Sequence, residues 1–125
     1  IGDAVMAVFL SPKNAVAAGI AIQRRVAEFN RREKLISAIT IKLSIHRGPV
    51  IAVNFNDILD YFGMSVNLAC LMQNESHGGD IVLSQELHED PEIVRLLAEE
   101  SLSGDVFDAS LRDISEAQKL MRVEI

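Results

Sequence analysis

Residues 59–71, which read LDYFGMSVNLACL, constrain the fold more than any other part of this chain. Asp60 stands beside two aromatic residues, Gly63 interrupts the run, and Ser65 is a good N-cap for the helical spacing that follows. The pattern predicts an extended segment that ends near Asp60 and a helix that holds Asn67 in its first turn. Across such a junction, this carboxylate and this amide can face one pocket and bind a small polar ligand.

The clearest strand pattern lies at residues 39–45, where isoleucine and leucine alternate with polar residues. A glycine and a proline then predict a turn, after which residues 50–53 return as the partner strand and residues 54–57 form a polar loop. The apolar run at residues 4–10 predicts a buried strand. Further strands are predicted at residues 81–83, 106–111 and 120–125, the last two as a closing hairpin.

Two helices are marked by a capping residue followed by proline. Ser11–Pro12 begins the first and Asp90–Pro91 the second, because the capping side chain accepts from the first turn and proline fits the first helical position. The apolar stripe of the first helix is predicted to be Ala15, Ala18, Ile22, Val26 and Phe29. The helix after residues 59–62 is predicted to run to about Ser76 and to end at the pair Gly78–Gly79.

Strands joined by helix-bearing connections predict an α+β fold, with helices packed on an antiparallel or mixed sheet. The length of 125 residues and the 49% apolar content predict one domain, residues 1–125, with a packed core. The formal net charge of −6 argues against nucleic acid as a partner. No apolar run approaches the ~20 residues of a membrane span, so no membrane contact is expected. A single cysteine, Cys70, favours a reducing, cytoplasmic setting.

Residues 59–71 resemble the motif Asp-Tyr-x-Gly-x-x-Val-Asn-x-Ala-Ala-Arg-Leu of the class III adenylate and guanylate cyclases. Three other stretches resemble the same family in the same order. Residues 1–9 resemble its metal-binding hairpin, residues 45–50 its central hairpin, and residues 78–84 the strand after the motif helix. The resemblance covers nearly the whole chain.

The resemblance implies a ferredoxin-like fold whose helices pack on a mostly antiparallel sheet. It also implies a fragment, because the family's first strand and helix precede the part that begins at Ile1. An uncovered sheet edge and apolar face would then favour association. Family active sites form between two head-to-tail subunits, so a homodimer is expected.

The resemblance places Asp3 at the second of two metal-binding aspartates of the family. A carboxylate oxygen suits Mg²⁺ or Mn²⁺, which are the expected cofactors. The alternative interpretation is that Asp3 is only a turn residue after glycine.

The resemblance also places Asp60 where the family reads the base. An ionised carboxylate only accepts hydrogen bonds, so Asp60 favours the amino group of adenine over the carbonyl of guanine, and ATP over GTP as the ligand. Asn67 matches the residue that orients the ribose, and Arg112 stands where a lysine binds phosphate. The alternatives are a turn cap for Asp60, a backbone-bonding residue at the start of a helix for Asn67, and a surface turn for Arg112.

One position departs from the family motif. Four residues after Asn67 the family has an arginine that contacts the triphosphate, and this chain has Leu71. Losing such a donor costs on the order of 10²–10³ in rate. The resemblance implies an adenylate cyclase-type domain that converts ATP to cyclic AMP and pyrophosphate. The alternative is a catalytically silent cyclase-homology domain with a regulatory or dimerisation role.

Overall fold

The computed structural model describes residues 3–34 and 36–125, which form helices on both faces of a sheet. The helices are α1 (Pro12–Glu33), α2 (Met64–Gln73), α3 (Gln85–His88) and α4 (Pro91–Glu99). The strands are β1 (Ser44–Ile45), β2 (Ile51–Phe55), β3 (Ile58–Phe62), β4 (Asp80–Leu83), β5 (Gly104–Ala109) and β6 (Gln118–Glu124). The predicted α+β class is therefore confirmed.

Both predicted helix starts are confirmed. Ser11 Oγ accepts a hydrogen bond from the Asn14 backbone N–H at 3.2 Å, with Pro12 as the first residue of α1. Asp90 Oδ1 accepts one from the Glu92 N–H at 2.8 Å at the start of α4. Each cap satisfies a backbone donor that the helix itself leaves free.

The main sheet has the strand order β1-β4-β6-β5. Strand β1 runs parallel to β4, and the other two pairings are antiparallel, so the sheet is mostly antiparallel. The predicted closing hairpin is confirmed as β5 and β6. Strand β4 is buried along its whole length and sends alternate side chains to opposite faces.

Two clusters of buried side chains lie on the two faces of this sheet. The first joins α1, α3 and α4 to the sheet through Val16, Ile20, Ile81, Leu83, Leu87, Ile93, Leu96, Leu97 and Val123. The second joins α2 to the sheet through Met72, Val82, Ala109, Leu111 and Leu120. Helices therefore cover both faces of the central strands.

The buried face of α1 is rotated from the predicted stripe. Val16, Gly19, Ile20 and Gln23 are buried, whereas Ile22 is 44% exposed. The amide of Gln23 donates to the carbonyl oxygens of Ile41 at 2.9 Å and Asp80 at 2.8 Å. A glutamine is buried here because it donates to two backbone carbonyls, which an apolar stripe does not reveal.

The segment at residues 39–45 forms a shorter strand than predicted, Ser44–Ile45, and this part of it is partly covered on both sides. Leu43 and Ile45 pack against the first cluster. On the other side, Ser44 Oγ donates to the Ala69 carbonyl at 2.6 Å, and Gln73 Nε2 donates to the Lys42 carbonyl at 3.0 Å. Helix α2 therefore packs beside the polar side of this segment at Ser44, while Thr40 and Lys42 stay exposed.

The predicted pairing of residues 50–53 with residues 39–45 is wrong. Strand β2 instead pairs with β3 in a separate antiparallel hairpin. Its two turn residues, Asn56 and Asp57, have φ angles of 51° and 61°. Positive φ at both positions matches the twist of a tight hairpin, and asparagine and aspartate tolerate it better than most residues.

Residues 4–10, predicted as a buried strand, are exposed and form no assigned strand. A strand is stabilised by its ladder of backbone hydrogen bonds, and an apolar sequence alone does not supply that ladder. The first two residues of the predicted metal-binding hairpin, Ile1 and Gly2, lie outside the described residues.

None of the helices in the described ranges has the length and apolar content that crossing a bilayer requires.

Candidate functional site

The β2–β3 hairpin has an apolar face with one carboxylate in it. Opposite residues in an antiparallel pair share a face, as do residues two apart along a strand. The ladder sets Ile51 opposite Phe62, Val53 opposite Asp60, and Phe55 opposite Ile58. These six residues form what we call the apolar hairpin face, and Asp60 is its only ionisable member.

The carboxylate of Asp60 is only partly engaged. Its Oδ1 accepts a hydrogen bond from the Tyr61 backbone N–H at 2.8 Å. No donor among the described residues contacts Oδ2. An open cavity of about 370 Å³ lies beside it, lined by Val53, Phe55, Ile58, Asp60 and Phe62. The site thus offers flat apolar contacts together with one charged acceptor.

Gly63 carries the chain from β3 into α2. Its φ of 134° lies in a region that side chains disfavour, and it takes the N-cap position, where Ser65 was predicted. The helix therefore begins at Met64, two residues earlier than a serine cap at 65 implies. Asn67 lies in the first turn, as predicted, with an exposed side chain and its N–H bonded to the Gly63 carbonyl at 3.3 Å.

Leu71 turns toward the sheet. It is half-buried and packs, with Leu68, against the cluster that holds Met72. Asn67, one turn earlier, stays exposed. The leucine at the position of the family arginine therefore has an apolar packing partner.

The remaining predicted site residues lie in exposed turns. Asp3 stands in a turn ahead of residues 4–10, and Arg112 in a turn after Leu111. Within residues 3–34 and 36–125, no hydrogen bond or ion pair joins these two side chains to each other, to Asp60 or to Asn67. The fold brings Asp60 and Asn67 to the two sides of Gly63, and it does not gather all four residues in one pocket.

A second group of possible ligands lies at the far end of α2. Donor atoms of His77, Asp80 and Glu124 lie within 4.8 Å of one another. The carboxylate of Asp80 is already used, since it accepts from the Ser76 hydroxyl and from the His77 N–H at 2.8 Å. Arg122 Nε stands 3.5 Å from Asp80 Oδ2. A guanidinium this close repels a metal cation. We therefore interpret the group as one that holds the loop before β4 in place through hydrogen bonds to Asp80.

The apolar hairpin face was not predicted from the sequence, although a signal was present. Ile51, Val53 and Phe55 alternate with smaller or polar residues, and Asn56-Asp57 is a two-residue turn pair. The predicted loop at residues 54–57 cut off the end of β2 and hid this alternation. The contact of Arg122 with Asp80, and its guanidinium 4.3 Å from the centre of the Phe107 ring, left no sequence signal because the three residues are distant in the chain.

Comparison with known proteins identifies the fold. The model of the adenylate and guanylate cyclase catalytic domain matches residues 1–102. A solved adenylate cyclase from Trypanosoma brucei, described in its monomeric state, superimposes with a TM-score of 0.70 at 16% identity, over 90% of this chain and 63% of that one. A search among curated proteins finds no match.

Two bacterial structures are similar to the same extent. The adenylyl cyclase CyaB from P. aeruginosa gives a TM-score of 0.64 at 22% identity, over 90% of this chain and 58% of that one. An adenylate/guanylate cyclase/hydrolase from Silicibacter pomeroyi gives a TM-score of 0.66 at 19% identity, over 94% of this chain and 64% of that one. The chain spans less than two thirds of the length of these structures, and it shares their ferredoxin-like fold. With most of its residues matched by the family model, this chain belongs to the family of adenylate and guanylate cyclase catalytic domains.

Proposed function

We propose that this chain is an adenylate cyclase-type domain that binds ATP and contributes to its conversion to cyclic AMP and pyrophosphate. The observation that carries the proposal is the setting of Asp60. Its carboxylate stands among apolar side chains of the hairpin face, with Oδ2 open to a donor. A purine ring can lie against such side chains while its exocyclic amino group donates to the carboxylate.

The same setting favours adenine over guanine. Guanine presents a carbonyl oxygen where adenine presents its amino group, and a carboxylate repels that oxygen. Asn67, which follows the Gly63 turn with an exposed amide, is the residue that we assign to the ribose. Arg112 is exposed and free to contact phosphate from its turn.

Asp3 is the residue that we assign to Mg²⁺ or Mn²⁺. It is an exposed carboxylate, which fits a hard cation. When bound, such an ion neutralises charge on the phosphates and on the leaving pyrophosphate. One carboxylate alone binds such an ion weakly. The proposal includes a homodimer in which Asp3 of one subunit faces Asp60 and Asn67 of the other.

Leu71 favours a second candidate function, a cyclase-homology domain that binds nucleotide or a partner without turnover. The side chain packs on the core and offers no hydrogen-bond donor. A domain of this kind keeps the binding contacts of Asp60 and lacks a donor for the charge that develops in the transition state.

The proposal is tested by comparing ATP and GTP binding to the chain and to Asp60→Asn. The substitution keeps the shape and supplies an amide that can donate to guanine. We expect the preference for ATP over GTP to fall by about 1–3 kcal/mol, or about 5- to 150-fold. Asp57→Asn is the matched control, since it removes a neighbouring carboxylate at a turn position that asparagine tolerates. An unchanged ratio of ATP to GTP affinity in Asp60→Asn would support the alternative interpretation of Asp60 as a turn cap.

A further inference from the structure

His46 lies at a junction of three structural elements. It follows β1 directly, and its Nδ1 is 3.2 Å from Oε2 of Glu86 in α3. Its other nitrogen, Nε2, lies near Gly48. A β-carbon on Gly48 would come within 3.1 Å of Nε2 and would collide with Oγ of Ser65, in the first turn of α2. Gly48 is therefore close both to the His46 ring and to Ser65 at the start of α2, within the short loop of residues 46–49.

The ring is buried but incompletely bonded. The His46 side chain is 8% exposed, and no hydrogen bond from the described residues reaches Nδ1, although Glu86 is close. Beside it, an open cavity of about 420 Å³ is lined by Arg47, Gly48, Pro49 and Glu86. The loop thus has space to move into when its packing against the ring is weakened.

Burial lowers the pKa of His46 from 6.5, and the neighbouring Glu86 carboxylate raises it by a smaller amount. The ring is therefore neutral at neutral pH, and acidification converts it to a cation that its buried position disfavours. The charged groups near it are Glu86 from α3 and Arg47 of its own loop. Arg47 Nη1 lies 3.4 Å from Asp90 Oδ2 at the start of α4, so its charge is balanced there. From α2, Ser65 approaches Gly48 beside the ring, and it carries no charge.

We propose that His46 is a pH-sensitive latch. In its neutral form it holds residues 46–49 against the start of α2, and protonation releases this contact. Ser65 lies two positions before Asn67 in the same helical turn, so a shift at the start of α2 displaces the residue that we assign to the ribose. The effect on nucleotide binding rests on the proposed function. The coupling between the His46 ring and α2 does not depend on the proposed function.

The coupling is tested by NMR on the 125-residue chain without nucleotide, from pH 8 to pH 5. We expect the His46 ring to titrate with a midpoint below 6.5. The backbone amides of Ser65, Val66 and Asn67 should shift with that same midpoint. A midpoint at or above 6.5, or amides of α2 that do not follow the ring, would overturn the proposal.

Three variants separate the latch from a general effect of acid. His46→Gln should abolish the titration of the α2 amides. Glu86→Gln removes the carboxylate that favours the charged ring and should lower the midpoint further, and Glu86 is exposed enough for the fold to tolerate the change. His77→Gln is the matched control, since it removes an exposed histidine beyond the other end of α2 and should leave these amides unchanged. Titration that persists in His46→Gln would show that another group drives it.

Nucleotide binding supplies the second measurement. Affinity for a fluorescent ATP analogue is compared at pH 7.5 and pH 5.5 in the chain and in His46→Gln, so that protonation of the phosphates cancels in the comparison. We expect acid to weaken binding to the chain by up to about tenfold more than to the variant, the effect of one unit of pKa difference. An equal loss in both would contradict control of the site by His46. Absence of nucleotide binding at both pH values would contradict the proposed function. The NMR titration would still decide whether the latch exists.

Discussion

Val53 and Asp60 lie directly opposite each other in the β2–β3 ladder. Their side chains stand on the same face of the hairpin, so the carboxylate is set beside an apolar neighbour, and Ile58 and Phe62 flank it along its own strand. A charged group in this position is stabilised by a ligand that donates to it. The apolar side chains around it are more exposed than a folded domain usually leaves them, which points to a covering partner.

The first prediction concerns self-association. Phe55 is 73% exposed at the tip of the apolar hairpin face, and Phe55→Lys should shift the chain from dimer to monomer at micromolar concentration. Light scattering measures the mass directly. Asn54→Lys adds the same charge on the opposite face of the strand and should leave the dimer intact. A monomeric unmodified chain would contradict the proposed homodimer, and a dimer that persists in Phe55→Lys would show that its contacts lie outside this face.

The second prediction concerns Leu71. Leu71→Arg should raise cyclic AMP formation from ATP and Mn²⁺, with an upper limit of about 10²–10³-fold, because it supplies a donor for the developing charge. Base preference should not change. Leu68→Arg places the same charge on a neighbouring position of the same packing surface and should reduce stability without raising turnover. Equal turnover in Leu71→Arg and the parent chain, with the fold retained, would favour the silent-domain alternative.

The third prediction concerns Gln23. Gln23→Leu should lower the free energy of unfolding by about 1–3 kcal/mol, because the backbone carbonyls of Ile41 and Asp80 lose their donor. Urea unfolding measures the change. Ile22→Gln, at the adjacent and more exposed position, should change stability by about 0.5 kcal/mol or less. The opposite order of the two effects would support the apolar stripe predicted from sequence.

The fourth prediction concerns pH. The pKa of His46 is lowered in the folded chain, so the unfolded chain binds more protons as pH falls below 6.5. Folding stability should therefore decrease through that range and level off below the folded pKa. Urea unfolding at pH 7.5 and pH 5.5 should show a smaller loss of folding stability on acidification in His46→Gln than in the parent chain. An equal loss in both would mean that other groups carry the pH dependence.

Features that depend on a few neighbouring residues were predicted correctly from the sequence. The caps at Ser11 and Asp90, the ends of α1 and α4 near those caps, and the closing hairpin all appear in the structure. Gly78 and Gly79 do have the predicted left-handed conformation, with φ of 89° and 73°, but they lie in the loop before β4 and do not end α2, which ends at Gln73 with Asn74 as its C-cap. In each case the hydrogen bond or backbone conformation is decided within one turn of chain, so the local sequence is sufficient.

The arrangement of the candidate site was predicted only in part. The positions of Asp60 at a strand and Asn67 in a first helical turn follow from residues 59–71. Their surroundings do not, because the apolar hairpin face exists only once β2 has paired with β3. The roles of Asp3, Asp60, Asn67 and Arg112 stay predictions that the experiments above address.

The sequence by itself determined the order of most elements, where α1 and α4 begin, and the family to which the chain belongs. Only the tertiary structure decided the partner of β2, the face of α1 that Gln23 buries, and the packing of Leu71 and His46. These depend on which surfaces meet after the chain has collapsed. Contacts between residues far apart in the chain, such as Gln23 with the Asp80 carbonyl, outweigh the local pattern because an unpaired buried polar group costs more than a shifted stripe.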